Sequence, residues 1–391
     1  MLGWLLMIVS RGYVVALFMG ISGMIVYGFI RPYIVFRSFE EYGLLAVAFL
    51  TAGFMVSRGL TSLYTGLLIT RRGYGFTGST GLLLLALTYY LYTIVPTNLY
   101  PFIRLLEGFA SGLLWPSIQA LVVASVPSDW RARGLSLYFV LSNIAYYFSV
   151  WLASPLKDLV GYSGLFIFSI MLLIVLAIVY WFAMRGYGLG GGGYTGFRVY
   201  GRLFRETIDL VPLAIVMGGV AGLSLDYLLA YARSISGFNR DLARLYWSYA
   251  GYISLGLSLV FSYLADRYGG EKINYGVTYL VLLSLMAISI PSNPVVLYTL
   301  LSLPLIGTRI FRPIIRSTMV ERTGMKELAI TYTNMLMNFG AAFITLLIAL
   351  INYYVSSLLN LGLIVYSITA LVTIAFTRHR IMGGRDRKKH S

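Results

Sequence analysis

Long apolar stretches alternate with short polar ones from about residue 12 to residue 377. Each apolar stretch has about 18–28 residues, enough for a helix to cross roughly 30 Å of hydrocarbon, in some cases with a tilt. Turn residues and charges mark the boundaries. The pattern predicts an all-α membrane protein with twelve transmembrane helices, near residues 12–34, 42–69, 75–95, 98–124, 134–156, 161–183, 207–232, 242–265, 273–291, 294–320, 327–351 and 355–377.

The composition agrees with this interpretation. Of the 391 residues, 11% are charged and 59% are hydrophobic, and the mean hydropathy is +0.80. A soluble chain of this length would need two or three domains with polar shells, for which there are too few charged residues. The first apolar run lacks a convincing cleavage site, so we interpret it as the first span and not as a signal peptide.

The residues that usually carry out enzyme chemistry are scarce. There is no cysteine, which excludes disulfides, thiol chemistry and cysteine-ligated metals. Both histidines, His379 and His390, lie at the C-terminal end, so a buried imidazole cannot relay protons. We expect no cofactor, and a membrane enzyme or receptor is the weaker class of hypothesis.

The net charge of +16 is distributed unevenly. If the N-terminus is cytoplasmic, most of the 30 Lys and Arg residues fall on the cytoplasmic side, which favours cytoplasmic N- and C-termini in the cell membrane. Basic loops that face anionic lipid headgroups account for the charge without nucleic acid. The expected partners are therefore the lipid bilayer and a small-molecule substrate, and we expect a monomer.

A glycine-rich basic segment, "RGYGLGGGGYTGFRVYGRLFRE" (185–206), divides the chain into halves. It lacks the Gly-Lys-Ser/Thr ending of a phosphate loop, so we interpret it as a flexible cytoplasmic linker. The predicted organisation is a six-helix bundle at 1–184, the linker at 185–206, a second six-helix bundle at 207–377 and a basic cytoplasmic tail at 378–391.

The two halves contain several similar features, separated by about half of the chain length. "TRRGYG" (70–75) aligns with "DRYGGE" (266–271), Pro116 with Pro313, and Asn143 with Asn338. A duplicated unit predicts two pseudo-symmetric bundles that face each other across a central cavity.

Several motifs resemble those of the major facilitator superfamily of secondary transporters. "SYLADRYGGEK" (262–272) is similar to that family's loop signature, Gly-x-Leu-Ala-Asp-Arg-x-Gly-Arg-Arg, although Ser262 replaces the first Gly and Gly270-Glu271 replace the closing arginines. "GLLITRRGYG" (66–75) is a weaker copy with Thr70 at the Asp position. "RLLEGFASG" (104–112) resembles the Arg-x3-Gly-x3-Gly pattern of the family's fourth helix, and "RARG" (131–134) resembles the basic turn after it.

The resemblance implies alternating access, with the two halves rocking around a site near mid-membrane. It implies that the first, fourth, seventh and tenth helices line the cavity. By the same resemblance, the conformational gate would involve Asp266, Arg267, Gly269, Arg71, Gly73 and Arg133, and the fourth-helix motif would be Arg104, Gly108 and Gly112. The fifth helix, "LSNIAYYFSVWLASPL" (141–156), lacks the Gly-Pro-rich run that drug/proton exporters of the family usually carry.

Charged residues within the predicted spans are the main functional signal. The basic ones are Arg58, Arg104, Arg309, Arg312 and Arg316, and the acidic ones are Glu107 and Asp226. A charge at mid-membrane costs at least about 2.5–3.5 kcal/mol on insertion scales, so each should face protein, water or ligand. At 100° per residue, the three arginines of the tenth span fall within an arc of about 60° and form one stripe.

This inventory predicts a net positive cavity that receives an anion, because guanidinium groups match carboxylate and phosphate groups. The candidate substrate-binding residues are Arg309, Arg312, Arg58, Tyr27, Trp115 and Asn338, and Gln119, Asn143, Tyr332 and Asn334 are further polar candidates. Asp226 and Glu107 are the candidate proton-coupling residues.

Structural roles for the same charges stay open. Arg316 would snorkel to the cytoplasmic surface. Arg104 would pair with Glu107 one turn away, and Arg58 would anchor the interface between the halves. Arg309 would pair with Asp226 instead of binding a ligand.

The sequence thus predicts a secondary transporter that moves a small anionic solute by alternating access. The solute would be an organic anion, a phosphorylated solute or an inorganic anion, with coupling to protons or to a counter-anion left open. The alternative is a drug or amphiphile exporter of the same superfamily in which the arginines act in gating.

Overall fold

The chain folds into a bundle of long helices. A computed structural model describes residues 10–127, 130–187, 198–268, 270–290, 293–355 and 360–389, and no strand occurs in these ranges. The first helical stretch, Arg11–Ile94, is 84 residues long, about four times what a single crossing needs. Gly43 (φ 76°) and Gly73 (φ 80°) interrupt it in the left-handed region that favours glycine, and they divide it into α1 (11–42), α2 (44–72) and α3 (74–94).

The rest of the first half follows the same plan. Helix α4 is Tyr100–Ser125, and the stretch Arg131–Met184 is broken at Gly161 (φ 70°) into α5 (131–160) and α6 (162–184). The predicted boundary between the fifth and sixth spans thus coincides with this glycine. Helix α1 continues beyond the predicted end of the first span, residue 34, to residue 42, and an Arg37–Glu41 pair lies on its surface at i, i+4 spacing.

In the second half, α7 combines Val211–Gly222, a π-helical turn at Leu223–Tyr227, and Leu228–Ser236. It is followed by α8 (Arg240–Tyr268), α9 (Gly270–Ile288), α10 (Pro294–Thr323), α11 (Lys326–Tyr354) and α12 (Leu361–Lys389). Five helical stretches of the described residues are long and apolar enough to span a membrane, and α9, α10 and α12 contain shorter apolar helices. The number of crossings stays a prediction.

Part of the predicted flexible linker is an ordered helix, Arg198–Thr207. Its apolar positions lie on one face: Leu203 is buried, and the Tyr200 hydroxyl donates a hydrogen bond to the carbonyl oxygen of Leu63 at 2.6 Å. The expectation of flexibility was therefore wrong for these residues, because i, i+3 spacing of Tyr200 and Leu203 gives the segment a face to bury. Residues 188–197 of the linker lie outside the described residues.

The two halves of the sequence meet along several helix pairs, two of which come into close contact at glycine residues. Helix α2 packs on α11, where Gly59 faces Asn338 and a Cβ atom on Gly66 would lie 2.6 Å from the Thr331 hydroxyl. Helix α5 packs on α8, where Gly251 admits the ring of Tyr147. These small residues let the backbones approach closely. In a lipid bilayer, where apolar surface gains little from burial, such close packing is a main source of helix association. Large apolar side chains such as Phe343 and Phe376 cover the outer surface and remain exposed.

Candidate functional site

A central cavity lies between the two halves. Its lining residues come from α1, α2, α4 and α5 of the first half and from α7 and α10 of the second: Met24, Tyr27, Arg31, Arg58, Trp115, Gln119, Tyr138, Phe139, Ser142, Asn143, Tyr146, Tyr147, Ala221, Ser224, Leu225 and Leu305. The cavity holds about 120 Å³ of free space. Three predicted substrate-binding residues, Tyr27, Arg58 and Trp115, are among the lining residues, as are the predicted Gln119 and Asn143.

Glycines of α1 explain how large rings reach this cavity. A Cβ atom on Gly23 would lie 2.9 Å from the indole ring of Trp115, and one on Gly20 would lie 2.4 Å from the ring of Tyr138. The indole in turn packs edge-on against Tyr27, with 5.6 Å between the ring centroids. The aromatic walls are therefore held by close contacts that a larger residue on α1 would prevent.

Arg58 is the cationic group of the cavity that no described carboxylate neutralises. Its side chain is half-buried, and its Nε atom is buried without a hydrogen-bond partner. The guanidinium lies 5.8 Å from the ring centroid of Phe54 and forms no ion pair with any carboxylate in the described part of the chain. A partly buried charge of this kind is stabilised when an anion binds beside it.

A second group of charges forms a closed network beside the cavity. Asp226 of α7 is fully buried and accepts hydrogen bonds from Arg31 Nε at 2.6 Å and from Arg104 Nη2 at 2.7 Å. Arg104 also pairs with Glu107 at 2.5 Å. Two hydroxyl groups complete the set that we call the Asp226 network: Thr51 donates to Asp226 at 3.0 Å, and Tyr92 donates to Glu107 at 3.0 Å.

The Asp226 network balances its charges internally. Two guanidinium groups, of Arg31 and Arg104, meet two carboxylates, of Asp226 and Glu107. The four side chains have little or no exposure, so each charge depends on its partners for stabilisation. Because Asp226 belongs to the second half and its arginine partners to the first, this network also ties the halves together.

The ring of Phe54 connects the network with the cavity. The guanidinium carbons of Arg31 and Arg104 lie 4.9 Å and 4.8 Å from its centroid, and that of Arg58 lies 5.8 Å away. Each contact is in the range of a cation–π interaction. Arg31 belongs to both regions, since it lines the cavity and pairs with Asp226.

Asp226 lies within the π-helical turn of α7. Such a turn contains i to i+5 hydrogen bonds and often occurs at functional positions of helices. The backbone stays helical on both sides, from Val211 to Gly222 and from Leu228 to Ser236. The π-helical turn therefore lies at Asp226. Among the described carboxylates of the second half, this is the only one that pairs with arginines of the first half.

A more exposed ion cluster joins the halves beyond the predicted first span. Glu40 accepts hydrogen bonds from Arg233 at 2.6 Å and from Arg240 Nε at 2.9 Å. Next to Arg240, Asp241 accepts one from Lys157 at 3.0 Å. The hydrogen bond from Arg240, assisted by Arg233, holds the pKa of Glu40 below its ordinary value despite partial burial of the carboxyl group. This cluster and the Asp226 network both hold α1 against the second half of the chain.

The remaining predicted binding residues have different outcomes. The side chains of Arg309 and Arg312 lie outside the described residues. Asn338 is buried but does not line the cavity, because its position on α11 faces Gly59 of α2. Arg309 was considered as a partner for Asp226; in the structure, Arg31 and Arg104 occupy both oxygens of that carboxylate.

Two expectations for other arginines are settled by contacts. The predicted Arg104–Glu107 pair is confirmed. Snorkelling of Arg316 was wrong: its side chain is buried, donates a hydrogen bond to Asn334 and lies 5.2 Å from the ring centroid of Phe139. The inward-facing side of α10 places the guanidinium among polar and aromatic side chains before it can reach the surface.

The glycines of the fourth-helix motif have a clear packing role. A Cβ atom on Gly108 would lie 2.3 Å from the carbonyl oxygen of Phe54, and one on Gly112 would lie 2.9 Å from that of Arg58. Helix α4 thus approaches α2 closely at Phe54 and Arg58. The motif therefore positions Phe54 and Arg58 relative to Arg104.

The predicted gate residues are described only in part. Gly73 forms the α2–α3 break, and Arg71 and Arg133 have exposed side chains, with Arg133 4.8 Å from the ring centroid of Trp130. Arg267 is exposed at the end of α8. The side chain of Asp266 and the whole of Gly269 lie outside the described residues, so the gate stays a prediction.

Sequence reasoning missed Arg31. Its position close to the predicted end of the first span made it look like a loop charge, whereas the structure buries it at 4% exposure. A signal was present in the sequence: Arg31 and Asp226 are 195 positions apart, close to the repeat offset that relates the halves.

No cluster of three or more metal-ligating side chains occurs among the described residues.

Comparisons with known proteins agree with this architecture. The structure resembles the fucose:proton symporter of E. coli (TM-score 0.68, 15% identity, 94% of this chain and 99% of the other). It also resembles a POT family transporter in complex with a thioalcohol-conjugated peptide (TM-score 0.71, 14% identity, 96% of each chain) and the nucleoside transporter NupG (TM-score 0.67, 10% identity, 94% and 99%).

At these identities the likeness concerns the fold. No curated protein matches the sequence. The sequence does match the profile of the Major Facilitator Superfamily over residues 12–345, most of its length. The helical fold, the cavity between the halves and this match identify the chain as a membrane transporter and not an enzyme, and it belongs to the major facilitator superfamily.

Proposed function

We propose that this secondary transporter moves a small anionic solute by alternating access, with both termini on the cytoplasmic side of the cell membrane. The observation that carries the proposal is Arg58, a cavity-lining guanidinium without a described carboxylate partner. A guanidinium fork binds carboxylate or phosphate through paired hydrogen bonds. An anion beside Arg58 would supply the counter-charge that the protein itself leaves out.

The neighbouring charges support an anion over a cation. Among the described residues of the cavity lining, Arg31 is the other charged one, and the carboxylates of Asp226 and Glu107 are held in the Asp226 network. A cationic substrate would therefore meet guanidinium groups without a free carboxylate among the described side chains. Coupling to protons through Asp226 or Glu107 requires this network to open, and it stays part of the proposal.

Ligand-dependent thermal stabilisation of the purified protein tests the proposal. Small carboxylates, sugar phosphates, phosphate and nitrate that bind should raise the unfolding midpoint, by an amount that grows with the logarithm of their concentration relative to the dissociation constant. The effect should disappear in Arg58→Gln and persist in Arg72→Gln, a matched change at an exposed arginine. Arg309→Gln and Arg312→Gln test the remaining sequence predictions. If none of the anions stabilises the wild-type protein, the proposed cargo is wrong.

Export of an amphiphilic compound is the second candidate. One observation favours it: Arg31 and Arg104 act as contacts between the halves, which is the gating role that this alternative assigns to arginines. In that case apolar cations or neutral amphiphiles would stabilise the protein and Arg58→Gln would not reduce their effect. The same thermal-shift series therefore separates the two candidates.

A further inference from the structure

Several buried polar atoms of the cavity lining have no hydrogen-bond partner of ordinary geometry among the described residues, although Ser111 lies near the Tyr27 hydroxyl and Tyr138 lies near that of Ser142. The hydroxyl groups of Tyr27, Ser142 and Ser224 and the Nε atom of Arg58 make no hydrogen bond of ordinary geometry with any described residue. Buried polar groups are nearly always hydrogen-bonded in native proteins, so such groups indicate a bound ligand or ordered water. They come from four helices, α1, α5, α7 and α2, and they surround one space.

These polar groups fall into two chemical types, one cation and three hydroxyl groups. Arg58 only donates hydrogen bonds and carries a fixed positive charge, which suits a carboxylate. The hydroxyl groups of Tyr27, Ser142 and Ser224 both donate and accept, which suits hydroxyl groups of a ligand. A simple inorganic anion would satisfy Arg58 and leave these hydroxyls unused.

The walls and the size of the cavity also restrict the solute, in addition to the carboxylate and the hydroxyl groups inferred above. Trp115, Tyr138 and Tyr147 present aromatic faces or edges to the space. The free space of about 120 Å³ is close to that of a roughly 150 Å³ engineered cavity that holds benzene. This size limits the solute to at most one six-membered ring, for which aromatic side chains provide large contact areas.

We propose that the solute is a carboxylate on a single ring that also carries hydroxyl groups, with Arg58 binding the carboxylate and Tyr27, Ser142 and Ser224 binding the hydroxyls. This inference rests on the proposed function, in which the cargo is an anion. Of these four groups, only Ser224 belongs to the second half, so a solute that bonds to all four contacts both halves at once. Such a contact lets the solute bias the movement of one half against the other.

Four probes that each keep a different set of these properties test the proposal on the full-length protein in detergent. Galacturonate has the ring, the charge and the hydroxyls; galactose lacks the carboxylate; benzoate has an aromatic ring and a carboxylate without hydroxyls; and acetate has only the carboxylate. Dissociation constants from calorimetry should be lowest for galacturonate by at least about tenfold. Loss of one neutral hydrogen bond in Ser224→Ala should weaken galacturonate by about five- to tenfold and leave benzoate unchanged.

Ser234→Ala is the matched control, because Ser234 lies on the same helix away from the cavity and bonds to the Tyr231 carbonyl oxygen. Tyr27→Phe provides a second, independent hydroxyl deletion. If benzoate or acetate binds as tightly as galacturonate, or if neither deletion changes galacturonate binding, the hydroxylated ring is wrong and the anionic cargo survives. If galactose binds as tightly as galacturonate and Arg58→Gln has no effect, the anionic cargo itself is wrong.

Discussion

Arg31 of α1 and Asp226 of α7 form a buried ion pair at 2.6 Å across the interface between the two halves of the chain. Thr51 and Arg104 complete the hydrogen bonds of the carboxylate. Three elements of the first half thus converge on one side chain of the second. For the halves to separate at this level, as the proposed alternating access requires, these contacts must break together.

Removing the carboxylate of Asp226 should destabilise the protein strongly. In Asp226→Asn, Arg31 and Arg104 keep their charges but share only Glu107 as a described counter-charge. Breaking a buried pair by removing one partner costs about 3–5 kcal/mol. We expect a clear fall in the thermal unfolding midpoint.

The matched control for this prediction is Asp209→Asn. Asp209 pairs with Arg322 at 2.7 Å, but both side chains are about one-third exposed. A solvated pair of this kind contributes at most about 1 kcal/mol. Equal midpoints for the two variants would contradict the structural importance of the Asp226 network.

Arg58→Gln should behave in the opposite way in the absence of ligand. The substitution removes a charge without a described ion-pair partner, so the unfolding midpoint should stay the same or rise. Anion-dependent stabilisation should be lost in the same variant. A large fall in the ligand-free midpoint would mean that Arg58 has a structural partner and would remove the main support for an anionic cargo.

Close packing of α4 on α2 gives a third prediction. In Gly108→Ala the new Cβ atom would approach the Phe54 carbonyl oxygen to 2.3 Å, so the helices must move apart. Overpacking of this type costs about 1–3 kcal/mol, and the displacement of Phe54 and Arg58 should also weaken anion binding.

Gly256→Ala provides the control for this change. Gly256 lies in α8 with no atom within 4 Å of a built Cβ atom, so alanine should be neutral or favourable there by up to about 1 kcal/mol. Thermal midpoints and anion dissociation constants of the two variants can be compared directly. A Gly108→Ala protein as stable as Gly256→Ala would show that α4 and α2 are not in close contact.

The pH dependence of the outer cluster follows from Glu40. Its pKa is lower in the folded protein than in the unfolded chain, so its pairing with Arg240 and Arg233 stabilises the folded state above the ordinary carboxyl pKa of about 4.3. That contribution is lost as the pH falls through the lowered pKa of the folded state. Glu40→Gln should therefore have a lower unfolding midpoint than the wild type at neutral pH, and the difference should shrink in acid.

Measurement of both proteins from pH 7 downward checks this expectation. Glu206→Gln is a suitable control because Glu206 pairs only with Arg202 of its own short helix among the described residues. Its difference from the wild type should be small at every pH. A Glu40→Gln difference that grows in acid would contradict the assigned pairing.

The sequence predicted the features that depend on local pattern. The α2–α3 and α5–α6 breaks coincide with Gly73 and Gly161 because turn glycines interrupt apolar runs, and the Arg104–Glu107 pair follows from i, i+3 spacing on one helix. Features that depend on helix rotation and on contacts between distant helices could not be predicted from the local sequence pattern. The partners of Asp226 are set by the π-helical turn and by packing of α7 on α1, neither of which has a local signature.

The aromatic walls illustrate the same limit. Trp115 and Tyr27 were among the candidates because they lie on spans expected to face the cavity, and both line it. Tyr138 and Tyr147 were not distinguished from the other tyrosines among the 32 in the chain. Their selection depends on Gly20 and Gly251 of neighbouring helices, whose small size becomes meaningful only once the helices are packed.

The π-helical turn at Leu223–Tyr227 contains more residues per turn than the α-helix on either side of it. If that turn reverted to ordinary α-helical geometry, the residues on one side would rotate by about 100°, the angular step of a single residue. The carboxylate would then swing out from between the two guanidinium groups while the helix stayed unbroken. A screw motion of one helix, without a proline or a flexible loop, would then be enough to separate Asp226 from Arg31 and Arg104.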